Sequence, residues 1–199
     1  MAKIKFTKNE LKRQKDQLKR FERYLPTLAL KKQLLQLEIR QIEVKIEQKQ
    51  AELEKSRQDL EKWVAVFGEE IELEKLVTIQ GVDLSSSNIA GVEVPVLEKI
   101  RYDSAGYDLM VYPLWVDAGI KKLKEISAAD IELAILRKQA ELLEAELITT
   151  TQRVNLFEKV KIPETKENIR VINIFLGDQQ TAAVVRGKMS KRKLVRRTA

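Results

Sequence analysis

Gly187 and Lys188 match the closing glycine and lysine of a phosphate-binding loop, a motif that would set a cation on a nucleotide phosphate. Ala182 stands where the first glycine of GxxxxGK[ST] belongs, Met189 replaces its hydroxyl residue, and no strand-loop-helix context surrounds the pair. The match therefore carries no nucleotide chemistry. Carboxylate pairs such as Glu69-Glu70 and Glu144-Glu146 could support acid/base or metal work, but a chain with 30 acidic residues in 199 produces such spacings by chance. With no Cys and no His, disulfides, thiolate zinc sites, Cys nucleophiles and His-centred catalysis are excluded. What remains is charge. Arg186, Lys188, Lys191, Arg192, Lys193, Arg196 and Arg197 form a run without an acid, which could hold a nucleic-acid backbone. The run has no interleaved aromatic residue, and Val184, Val185, Met189, Leu194 and Val195 give it some helical amphipathicity, so a solvated or protein-facing helix end fits at least as well.

The element that must carry these residues is a long helix pair. Steps of seven from Leu11 give Leu11, Leu18, Leu25, Lys32, Ile39, Ile46, Leu53, Leu60 and Phe67, of which only Lys32 is polar. A second row, offset by three, runs Gln14, Phe21, Leu28, Leu35, Ile42, Lys49, Ser56, Trp63 and Glu70. A strict seven-residue repeat keeps one stripe facing a partner over any length, which defines a coiled-coil seam. The intervening residues are mostly Lys, Glu, Gln and Arg, as a solvated back face requires. Lys32, Lys49 and Ser56 are read as side chains that snorkel out of the seam and fix its register. Thr7 or Asn9 is the expected cap, and Pro26 is expected to kink the helix without ending it.

From Gly68 to Pro113 turn formers and β-branched residues replace the heptads, and Val92, Val94 and Val96 alternate with Glu93 and Pro95. This predicts a β-hairpin turning near Ser86, with Glu98 to Asp103 as a third short strand and Pro95 on an edge. An insert this small should lean on the helices, where Tyr102, Tyr107, Tyr112 and Trp115 would pack it or meet a partner protein. A second helix is expected from about Pro113, weakened early by Gly119. Its seam reads Leu133, Leu136, Ala140, Leu143, Leu147, Thr150, Val154 and Phe157; Pro163 then interrupts, and Ile169, Ile172, Leu176 and Ala183 continue a looser stripe.

The expected fold is mainly α: a long antiparallel two-helix coiled coil, residues 1–67 and 113–199, joined by a β-hairpin insert over 68–112 at the end distal to the termini. Pairing 67 with about 129 sets 26 opposite about 170, so a bend is expected where Pro26 and Pro163 come close along the coil. Residues 1–23 carry +6 and residues 186–199 carry +7; with a total of +7, the body between them holds −6. Both basic ends would meet at one tip. Met1 to Phe6 has no signal-peptide core and Leu109 to Val116 is too short to cross a bilayer, so a cytoplasmic protein is expected.

Arg153-Val154-Asn155-Leu156-Phe157-Glu158, with Ile162-Pro163 and then Ile169, Ile172 and Leu176, resembles the RVNxLE…IP…I stretch of the D subunit of V-type and A-type rotary ATPases. Asn88-Ile89-Ala90-Gly91-Val92-Glu93-Val94-Pro95 is similar to that family's NxxGVxVP segment, and the resemblance spans essentially the whole chain. Tyr24-Leu25-Pro26 departs from it, since the commoner pattern there is basic, contains glycine and lacks proline. The resemblance implies a non-catalytic central-stalk rotor shaft without a cofactor, its two termini inside the hexameric head of A and B subunits. The insert would lie toward the membrane, near the small F subunit and the funnel-shaped subunit that caps the membrane ring. It implies torque transmission that couples ATP hydrolysis or synthesis to H+ or Na+ transport, with membrane association only through the complex and no nucleic acid bound. A basic coiled-coil nucleic-acid binder and a tethering coil are the readings it competes with.

Overall fold

The first helix begins where Thr7 Oγ1 accepts the backbone N–H of Glu10 at 3.2 Å, satisfying one of the donors a helix start leaves free. Of the two expected caps, Thr7 is the one used. The computed structural model describes residues 5–64, 77–104 and 115–198. Helix α1 (Lys8–Val64) runs 57 residues and passes through Pro26 without stopping. Thr27 Oγ1 donates to Tyr24 O at 2.8 Å beside the proline, where the ring has removed a backbone donor. Every described residue of both seam rows, from Leu11 to Ser56, is buried or half-buried. Glu69-Glu70, Phe67, Gly68, Tyr107, Tyr112 and Pro113 lie outside the described residues.

Strands β1 (Val77–Ile89) and β2 (Val92–Ser104) form a two-stranded antiparallel sheet. The turn is at Ala90-Gly91, not at Ser86, and Glu98 to Asp103 continues β2 instead of forming a third strand. The reason is local. Ala90 and Gly91 both have positive φ, 52° and 81°, the geometry a two-residue hairpin needs, and Asn88 Oδ1 accepts the Gly91 N–H at 2.9 Å. Ser85 to Asn88 are all exposed strand residues, and since successive side chains alternate faces, both faces of β1 are solvated over this polar stretch. Pro95, paired with Ser86, sits in a sheet whose two strands are both edges.

Helix α2 (Val116–Asn155) leads into a π-helical turn (Leu156–Lys161) and helix α3 (Ile162–Thr198). Pro163 therefore does not interrupt the helix. The widened turn before it, closed by the Ile162 N–H on Phe157 O, puts the proline in the first turn of α3, the position at which a missing N–H costs least.

The chain divides into two compact units, residues 32–148 and the pair of segments 1–31 and 149–199. In the first, Leu35, Ile39 and Ile42 of α1 pack with Leu143 of α2 and Val94 of β2 in one core, against which Ala90, Val92, Leu136 and Leu147 also lie. Lys49 Nζ reaches Glu132 at 3.1 Å and Arg57 reaches Asp130 at 3.1 Å, so the two helices run antiparallel. This unit holds the hairpin and neither chain end. In the second, Phe6 stacks on Phe175 with centroids 4.9 Å apart and Phe21 on Phe157 at 5.2 Å, again antiparallel. That register replaces the expected one, which would have put Phe21 opposite residue 175. On α2 burial begins earlier than its heptads suggest, with Val116 and Ile120 already buried. Ala183 is not part of the stripe either. Once Phe6 has reached Phe175, no residue of α1 remains to cover the rest of α3, and residues 177–195 are exposed throughout.

Candidate functional site

The π turn and the residues leading into it form the first candidate surface. Val154 is buried and Phe157 meets Phe21, so these two face inward, whereas Arg153, Asn155, Leu156, Glu158 and Pro163 are exposed and Ile162 is half-buried. Within the π turn Leu156 and Val160 are both over two-fifths exposed. Thr165, buried in the next turn, donates through Oγ1 to Lys161 O at 2.6 Å. Glu22 of α1 and Lys166 approach to 3.6 Å in the same unit.

The hairpin is the second. Val94 is its anchor, only 1% exposed among Leu35, Ile39, Ile42 and Leu143. Gln139 Nε2 donates to Pro95 O at 2.6 Å, and the Tyr102 hydroxyl donates to Lys124 O at 3.1 Å and lies 3.2 Å from Ser127 Oγ. Gly91 and Val92 close the tip. The four residues Gly91, Val92, Val94 and Pro95 thus shape the turn or dock the hairpin along the helices. Neither Gln139 nor Ser127 stood out in the sequence, since a single polar residue in a helical seam carries no mark of its distant partner. Arg101 pairs with Asp83 across the sheet at 2.7 Å, in the space left by Gly81.

The third surface is the helix end. Arg186, Lys188, Lys191, Arg192 and Lys193 are all exposed on α3, as are Val184, Val185, Met189, Leu194 and Val195; Arg196 and Arg197 continue the helical backbone. Elsewhere the electrostatics are those of solvated pairs. Hydrogen bonding to Glu132, reinforced by its charge, raises the Lys49 pKa above 10.5. Hydrogen bonding to Arg170 and Lys122 respectively lowers the Glu167 and Glu125 carboxyls below 4.5. Lys49 is the snorkelling seam residue the heptad pattern predicts. Among the described residues no group of three or more Asp or Glu side chains is arranged to hold a metal ion, and no helix is long and apolar enough to cross a membrane.

One further surface escaped the sequence reading. Leu34, Leu37 and Val44 lie on the α1 face assigned to solvated residues and are about half exposed. Gln41 and Gln48 interrupt their 3-4-3-4 spacing, which hides it among the polar residues.

Long helical pairs that bury a heptad seam and dock a hairpin define a mainly helical protein of the coiled-coil class. The chain belongs to the ATP synthase D subunit family, whose family model matches residues 10–192. It is 51% identical to the V-type ATP synthase D subunit of Borreliella burgdorferi over 197 residues, 99% of this chain and 98% of that protein. It is also 37% identical to the V-type ATP synthase D subunit of Chlamydia pneumoniae over 127 residues, 64% of this chain and 61% of that one. The Chlamydia muridarum protein of the same name is 38% identical over 122 residues, 61% and 60% of the two chains.

Proposed function

We propose that this chain is the central-stalk rotor shaft of a V-type ATP synthase or ATPase, transmitting torque between a catalytic head of A and B subunits and a membrane ring. On this reading it couples ATP hydrolysis or synthesis to H+ or Na+ transport without binding nucleotide itself. The observation that carries it is the pairing of both chain ends in one unit, Phe6 on Phe175 and Phe21 on Phe157, from which a basic helix of exposed residues extends. A shaft must resist twisting, and a buried two-helix seam supplies stiffness. It must also turn against changing partners, and a solvated charged surface favours no single position strongly. The basic run Arg186 to Arg197 is the head-facing end, the segments 1–67 and 113–199 are the coil, and the insert 68–112 faces the small F subunit and the ring-capping subunit. The shaft is peripheral to the membrane, held there through the complex.

Deleting residues 187–199 from the chain within the complex tests this. The Phe6–Phe175 and Phe21–Phe157 contacts lie outside the deleted segment, so the fold should lose only the helix of the deleted residues and keep its melting midpoint while ATP-driven ion transport falls. Coupled transport left intact by the deletion would refute the assignment of the tail. The exposed run also favours a nucleic-acid reading, which requires salt-sensitive retention on DNA that the same deletion abolishes.

A further inference from the structure

Across the π turn the seam of the second arm runs in two rows, Thr150, Phe157, Thr165, Ile172 and Val154, Ile162, Ile169, Leu176, all buried or half-buried. Every step is seven residues except Phe157 to Thr165 and Val154 to Ile162, which are eight. A step of seven from Phe157 would reach Glu164, which is exposed. The rows of α1 in the same unit, Leu11, Leu18, Leu25 and Gln14, Phe21, Leu28, keep sevens throughout, even across Pro26. One helix of the pair therefore carries an extra residue, and it falls at the π turn Leu156–Lys161. In a regular α-helix an extra residue would turn everything beyond it by about 100°. A widened turn takes it up locally, so both rows return to the seam.

Two residues hold that turn in place. Pro163 has no N–H, so an α-helical turn there would leave Lys159 O without its donor and press the ring against that carbonyl; a wider turn just before the proline avoids the clash. Proline alone does not widen a helix, since α1 stays α-helical through Pro26, so Pro163 selects the place of the turn and the extra residue creates it. Thr165, only 4% exposed, donates through Oγ1 to Lys161 O at 2.6 Å and ties the last residue of the turn to the first turn of α3. No side chain within Leu156–Lys161 is buried. We propose that Pro163 and Thr165 are positioning residues that latch the π turn and stop the second arm from slipping by one residue against α1 when the chain is twisted. The claim rests on the reading of the chain as a torque-bearing shaft. Torque on the exposed end of α3 acts to rotate that helix about its axis, and an unlatched turn would yield by moving along it, each residue crossed turning by about 100°. Such slip lets ATP be hydrolysed without driving ions.

The test uses the full chain in the purified complex, reconstituted in vesicles, and counts ions moved per ATP hydrolysed. Pro163→Ala/Thr165→Val restores the missing N–H and removes the hydroxyl with little change of shape. Hydrolysis should continue while ions moved per ATP fall by about half or more, as expected once the turn has more than one place to sit. Deleting Val160, which is half exposed, from that double variant removes the extra residue and should bring the ratio back to wild type. An unchanged ratio in the double variant, or a fallen ratio that the deletion does not restore, overturns the latch. If the double variant does not assemble, its isolated chain decides: deletion of Val160 leaves unbroken sevens and a continuous α-helix and should raise the melting midpoint. A lowered midpoint overturns the extra residue and the latch with it. A wild-type chain that enters no complex sinks the shaft reading, and the melting comparison then still decides on the extra residue.

Discussion

Val94→Ala should release the hairpin while leaving the helix pair intact. An isolated two-stranded hairpin is marginal in water, so β1 and β2 depend on what docks them. Three attachments are available: burial of Val94, the Gln139 bond to Pro95 O and the Tyr102 bond to Lys124 O. Each hydrogen bond contributes about 1 kcal/mol net. Removing two methyl-sized groups from a side chain that is 1% exposed costs about 1.6 kcal/mol of transfer and a further cavity contribution, together about 2 kcal/mol. That is roughly a thirtyfold rise in the opening equilibrium of the hairpin. Hydrogen exchange read by mass spectrometry should therefore speed by that factor across 77–104. Peptides from α1 and α2 that carry Leu35 and Leu143 should keep their protection, because both side chains remain packed on one another's helices. Unchanged exchange in the hairpin would refute the anchoring role. Loss of protection in hairpin and helices together would refute the separation of the two.

Other perturbations probe the seam, the turn and the charge pairs. Leu53→Asp places a carboxylate at a buried seam position and should cost about 3 kcal/mol or more, so an unchanged melting midpoint would mean the seam is misassigned. Gly91→Val forces a β-branched residue into φ 81° and should weaken the hairpin by about 1–2 kcal/mol, visible as faster exchange around Ala90 and absent if the turn rearranges freely. Lys49 has a folded-state pKa raised above 10.5, so its pairing with Glu132 stabilises the fold fully below that value and the contribution is lost as pH rises through the folded pKa. The melting difference between wild type and Lys49→Met should shrink above pH 10.5; a difference independent of pH would assign the effect to packing.

The seam was legible because it is periodic. Leu35, Ile39, Ile42 and Leu53 are buried where the heptads put them, and even the polar exceptions Gln14, Lys49 and Thr150 are buried or half-buried. What failed depended on contacts far apart in the chain. The run Ser85 to Asn88 has turn-forming composition, yet it is strand, because the positive φ of Ala90-Gly91 decides where the chain reverses. The pairing register was missed because the heptads repeat every seven residues and look alike at each shift, so only specific contacts such as Phe21 on Phe157 fix which turn meets which. The π turn has no marker except Pro163 downstream, since an added residue only shifts the apolar pattern by one. The motif residues split in the same way: Val94 and Val154 are inside, where hydrophobicity announces them, whereas Arg153, Asn155 and Glu158 point outward, where only a partner would give them a role.

That division bears on how a helix pair can act on other proteins. A seam satisfied within the chain fixes the two helices to each other, so force applied to one is carried by both without a partner's help. The outward surfaces differ in kind. Beyond Phe175 the helix end mixes valine, methionine and leucine with a dense run of cations, and such a surface attracts through long-range charge that salt screens and that no single geometry maximises. Leu34, Leu37 and Val44 make a narrow, half-exposed apolar strip, and contacts on such a strip draw on apolar burial more than on charge. The two should separate experimentally: raising salt should weaken contacts of the basic helix end far more than contacts of the apolar strip.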